Sequence, residues 1–212
     1  MKQIIFLLTL VLSLSVTAQK KEKSTQLKSI DSLTTKMVQK RGIITTYLNE
    51  ENKLFFEMDE SVLNKDLLVV TRIAQLPANY SAYLNAGSKT AEQVLRFSKK
   101  GKKIILKQVG YANIADQGDP IALSVAENNF HPILAAFDIK NKEEDRFLID
   151  VSSHFLADSP GFNIIRKGDK ERYKIGSVDK KRSSIDSANS FPNNTEVVHT
   201  LTCSVNKHPR TN

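Results

Sequence analysis

Apolar residues along this chain come in short blocks, many of them paired across a stretch of turn-forming residues. Ile43–Leu48 and Leu54–Met58 flank the polar stretch Asn49–Lys53, which predicts a first hairpin. Gln93–Phe97 and Ile104–Val109 flank Ser98–Lys103 and predict a second. There Gly101 can supply the positive φ of a tight turn, and the lysines keep the tip in water. Ile133–Ile139 and Arg146–Val151 form a third pair, joined by the charged turn Lys140–Asp145. The run Leu67–Ile73 is apolar enough to read as a central strand. Glu196–Cys203, after the turn Phe191-Pro192-Asn193, is the last candidate strand.

Helical spacing is confined to short stretches. Leu27, Ile30, Leu33, Met37 and Val38 recur at helical intervals before Gly42. That segment is either a short helix packed by one face or a leader that orders only against a partner. Asp59-Glu60-Ser61 caps a turn through Leu63, Pro120 opens a helix to about Asn128, and Ser152–Leu156 begins another. Gln75–Thr90, with Pro77, Asn79, Asn85 and Gly87, reads as a loop. Consecutive hairpins with short helices between them predict a β-rich α+β fold, built mainly on an antiparallel sheet. The expected divisions are a helical or flexible leader over 19–41, a β-rich core over 42–160, and a basic, less regular segment with a terminal strand over 161–212.

The amino terminus adds an address. Lys2, the apolar run Ile4–Leu14 and the small residues Ser15–Ala18 follow the order of a cleavable secretory signal over 1–18, cut after Ala18. The run is too short to span a bilayer, and no later segment is apolar enough to do so. A secreted or periplasmic location is therefore expected. Cys203 is the single cysteine, so no intrachain disulfide can form. The net charge is +8, and Arg166–Arg182 carries eight Lys and Arg residues. Neither this stretch nor Lys20–Arg41 interleaves aromatic residues as a base-stacking surface does, so no nucleic-acid partner is expected.

Candidate chemistry is sparse. The histidines are His131, His154, His199 and His208; no two are four residues apart, so the helical HExxH zinc motif is absent. His131 before a proline and His199 within a strand are expected to be structural or solvent-facing. Cys203 has no base near it in sequence, and no GxSxG or phosphate-loop motif occurs. Asp116, Asp119, Asp138 and Asp150 match no calcium loop, and turn and strand-end roles are expected for them. The sequence names no catalytic, cofactor-binding or metal-binding residue.

Several blocks, taken in order, carry a family resemblance. They are Lys40–Ile43, Lys53–Met58, Leu67–Ala74, Glu92–Phe97, Pro132–Ile139, Ile149–Val151, Arg182–Ile185 and Phe191–Val197. Together they resemble the N-terminal region of large secreted zinc-dependent metalloproteases of the Bacteroidota, where domains of unknown function precede a metzincin-like catalytic domain. The similarity runs from about Lys28 to Val198. It implies a non-catalytic module whose partner is the family's catalytic domain in cis. The zinc would belong to that domain, with no cofactor in this chain. Because the chain contains no HExxH, the resemblance also implies a truncated product or fragment without proteolytic activity of its own. The other expectation is a stand-alone envelope module whose sheet and loops hold a peptide or glycan.

Overall fold

The computed structural model describes residues 29–76, 84–163, 165 and 167–205. The expected signal and its cleavage site, the middle of the Gln75–Thr90 loop, and His208 lie outside the described residues. An eight-stranded antiparallel sheet dominates, as the paired apolar blocks predict. Its strands are β1 (Val38–Lys40), β2 (Thr45–Leu48), β3 (Leu54–Asp59), β4 (Asp66–Arg72), β5 (Lys89–Lys100), β6 (Lys103–Val109), β7 (Ile133–Glu143) and β8 (Arg146–Asp150). The spatial order is β1-β2-β3-β8-β7-β6-β5-β4. Two meanders, β1 to β3 and β4 to β8, therefore join where β3 pairs β8.

The chain path forces this sheet to curl. β3 ends at Asp59 and β4 begins at Asp66, yet β8, β7, β6 and β5 stand between them in the sheet. Five strand spacings make roughly 24 Å, about the most that so short a connection could span if fully extended. Part of the connection is coiled into a 3-10 turn over Glu60–Val62, capped by the Asp59 carboxylate. Only a curled sheet brings β4 within reach. The concave side holds the main core, with Leu54, Phe56 and Met58 of β3, Phe147 and Ile149 of β8, Phe137 of β7, Ile104 and Leu106 of β6, and Leu95 and Phe97 of β5.

Three expectations are corrected. Leu67–Ile73 does not form a central strand: β4 is the sheet's last strand, pairing only with β5, and Leu68 is 64% exposed. The four consecutive apolar residues Leu67–Val70 resemble a strand buried on both faces, but here the second face has no cover among the described residues. The leader's helical spacing also ends early. The helix α1 spans Ile30–Thr34 only, and Val38–Lys40 pairs with β2 as the sheet's other edge. The proposed terminal strand divides into β11 (Thr195–Thr200) and β12 (Cys203–Val205).

Two further strands carry too little apolar pattern to be seen in sequence. β10 (Ser184–Ser190) pairs with β11, and β9 (Ile175–Val178) pairs with β12. Ile185 and Ala188 of β10 enter the main core. Where this hairpin meets the strand entering β2, the Ile43 amide donates to the Phe191 carbonyl at 2.9 Å and the Ser190 hydroxyl to the Ile44 carbonyl at 2.6 Å. On the convex side, Ile30 of α1 packs with Tyr47 and Leu148 in a second, smaller cluster.

Candidate functional site

The two ends of the curled sheet differ. One end has two-residue turns, Gly101-Lys102 between β5 and β6 and Glu144-Asp145 between β7 and β8. The opposite end gathers the long connection 110–132, the chain leaving β8, and the described parts of the link from β4 to β5, residues 73–76 and 84–88. Long loops on a rigid sheet are where binding is commonly placed.

The 110–132 connection exposes much apolar surface. It contains the helix α2 (Ala122–Asn128), which has no buried residue. Ile114 and Leu123 are 70% exposed and Phe130 71%, with Tyr111, Ile121 and Ile133 also exposed. Neighbouring residues Gly110, Ala112, Asn113, Asn129, Phe130, His131 and Pro132 line a cavity of about 130 Å³. One wall is fixed by Asn113, whose side-chain amide donates to the Asn129 side-chain carbonyl at 2.7 Å. The sequence placed His131 before a proline at a strand entrance; the structure sets it at this cavity.

A second cluster lies where the chain leaves β8. The helix α3 (Ser152–Phe155) places His154 in an aromatic nest with Phe137, Phe155 and Phe162, at ring separations of 4.7 to 5.8 Å. Burial, followed by the charge of nearby His199, pulls the His154 pKa down to about 4. Its Nδ1 lies 3.3 Å from the Ser159 hydroxyl, while its Nε2 is buried with no partner among the described residues. Ser159 donates instead to the His154 main-chain carbonyl at 2.7 Å, and both residues are buried. A serine held in this way is not presented to a substrate. The sequence signal for this burial was modest: Phe155 and Leu156 follow His154, but Ser152 and Ser153 precede it.

The remaining candidates are dispersed. His199 on β11 bonds through Nδ1 to the Phe155 carbonyl at 2.6 Å. Asp119 accepts from the Ile121 amide at 2.9 Å, Asp138 pairs with Lys103 at 3.3 Å, and Asp150 accepts from the Ser152 amide at 3.0 Å. Asp116 accepts the Asp119 amide through its carbonyl at 2.9 Å. These are turn and strand-end duties. Cys203 is half-buried on β12, and burial raises its thiol pKa, which keeps the thiol protonated. Among the described residues, no three His, Cys, Asp or Glu side chains gather as a metal site, and no helix is long and apolar enough to cross a membrane.

Two family models match the chain. One, described as a domain of unknown function (DUF5118), covers residues 27–76; another, described as a domain of unknown function (DUF5117), covers 87–212. No curated protein and no solved structure matches. The two matched segments meet between β4 and β5, which pair along their length, and β3 from the first also pairs with β8 from the second. Both segments thus build one sheet. The longer match spans more than half of the chain, which therefore belongs to the DUF5117 family, with a DUF5118 segment at its front.

Proposed function

We propose that this chain is a non-catalytic module that packs against a partner domain outside the cytoplasm. In this reading it serves as the N-terminal region of a secreted zinc-dependent metalloprotease, and the partner is the metzincin-like catalytic domain. The observation that carries the reading is the exposed apolar surface of 110–133, where Ile114, Leu123 and Phe130 face water from a connection whose helix buries nothing. A concentration of large apolar residues on such a surface favours an interaction site. The resemblance of the ordered sequence blocks names the partner, and the signal-like residues 1–18 supply the route of export.

The test has three parts. The DNA beyond the codon for Asn212, read in every frame, is expected to encode an HExxH-bearing domain; none in any frame sinks the protease reading. That domain, produced separately, is expected to bind this chain, and Phe130→Ser with Leu123→Ser is expected to weaken binding. The chain alone is expected to hold no stoichiometric zinc and to leave casein intact. Zinc binding with cleavage would overturn the proposal.

One observation favours a second reading, an envelope module that binds a peptide or glycan. The cavity of about 130 Å³ combines Asn113, Asn129 and His131 with the aromatic Phe130, a mixture suited to a single sugar ring or a small side chain. Saturable retention of the chain on envelope glycan or peptide fractions, lost in Asn113→Ala, would support this reading over the first.

A further inference from the structure

We propose that β4 is a self-pairing edge, through which two copies of this chain join antiparallel to make one continuous sheet. The edge is open among the described residues. No backbone hydrogen bond links residues 66–72 to any strand but β5. Among the described residues, Leu67 and Val69 pack inward on the main core and the Thr71 hydroxyl donates to the Gly161 carbonyl, yet all three keep partial exposure. A long apolar edge without proline or lysine is a template for strand addition.

The backbone phase agrees with this reading. Ile73, just past β4, directs both its amide and its carbonyl toward the β5 side, to Ser88 and Gly87 at 3.0 and 2.7 Å. The irregularity in this ladder adds its extra residue on β5, so alternation along β4 continues. Antiparallel strands direct both groups of alternate residues to the same neighbour. Leu67, Val69 and Thr71 therefore face β5, and Asp66, Leu68, Val70 and Arg72 turn their amides and carbonyls outward.

The side chains select a second copy as the occupant. A two-fold axis at Val69 sets Asp66 opposite Arg72 of the second copy, and Leu68 opposite its Val70. The four outward-facing residues then meet as hydrogen-bonded pairs, opposite charges at the ends and apolar residues in the middle. Leu68 is 64% and Val70 41% exposed on that face. Asp66 accepts from Arg96 at 2.6 Å and from the Tyr111 hydroxyl, and a carboxylate has further acceptor sites for a second guanidinium. Among the described residues Arg72 donates to the Gly87 carbonyl at 2.9 Å, and a guanidinium has further donors to offer Asp66 of the second copy.

Sedimentation equilibrium on the chain purified as its host processes it is expected to show a dimer at micromolar concentration. Val70→Pro removes an outward amide without touching the β5 ladder and should weaken the dimer about tenfold or more, with the circular dichroism unchanged. Register is read by cross-linking on a Cys203→Ser background. Val69→Cys sits at the axis in a non-hydrogen-bonded pair, with Cα atoms about 4.5 Å apart, and should oxidise to a disulfide-linked dimer. Leu68→Cys, which faces Val70 of the second copy, should not. A monomer at all concentrations, equal cross-linking at both positions, or a monomer that takes up an added extended peptide at β4 would each overturn the proposal.

Discussion

The Arg146 guanidinium donates to the buried Glu57 carboxylate at 2.6 Å, and this contact spans the seam where the two meanders join. Glu57 also accepts the Tyr47 hydroxyl, and Arg146 holds Glu143 at 3.1 Å. Burial first, and then the Glu57 carboxylate, push the Tyr47 pKa up to about 12. Glu143 in turn accepts the amide of Ile30 at 2.6 Å, fixing the start of α1 on the convex face. The network is thus the polar link between a leader helix and strands far apart in sequence.

Arg146→Met should leave Glu57 buried with one donor fewer. The expected loss is about 1–3 kcal/mol, the lower part of the range applying because the guanidinium itself is half exposed. Urea unfolding of Arg146→Met against Glu57→Gln with Arg146→Met measures it; the double variant should regain part of the loss.

His154 sets a pH response. Its folded pKa of about 4 lies below the ordinary 6.5, so the unfolded chain binds the proton more readily between those values. Stability should therefore fall as pH drops from about 6.5 toward 4, by on the order of 3 kcal/mol at most from this group, and level off below. Subtracting the urea midpoints of His154→Phe from those of the parent across this window isolates the effect. Equal slopes in the two proteins would refute it.

Gly42 is required by close approach. A Cβ there would lie 2.4 Å from the Phe191 amide nitrogen and carbonyl oxygen and from the Ser190 hydroxyl. Gly42→Ala should push the β10–β11 hairpin from the sheet at a cost of about 1–3 kcal/mol. Amide exchange localised to Ser184–Thr200, together with a lower Tm, is the expected signature.

Asn52 combines two roles that can be separated. Its φ of 61° favours Gly or Asn, and its side-chain carbonyl accepts the Ile185 amide at 2.8 Å. Asn52→Gly keeps the conformation and should lose about 1 kcal/mol, whereas Asn52→Ala should lose more, because it gives up both. Thermal unfolding of the pair checks the order.

The three hairpins were legible because each core-facing block is continuous or alternates, and a turn with its own chemistry separates the two halves. Gly101 has the positive φ expected of it, at 59°. β10 was not legible: its sequence Ser184-Ile185-Asp186-Ser187-Ala188-Asn189-Ser190 offers two apolar side chains, and its place depends on bonds to residues 43–52. The exposed surface at 110–133 was equally hidden, since a sequence does not reveal whether Phe130 is covered.

By itself the sequence determined the local alternation, the turn positions and the β-rich class, because these depend on side-chain period and on backbone freedom within a few residues. Tertiary structure alone decided that Leu67–Ile73 stands at an edge, that β3 meets β8, and that His154 is buried with no partner for Nε2 among the described residues. The first two follow from how the strands between β3 and β4 pair, and the third from the packing of Phe137, Phe155 and Phe162 around His154, partners that no single segment supplies.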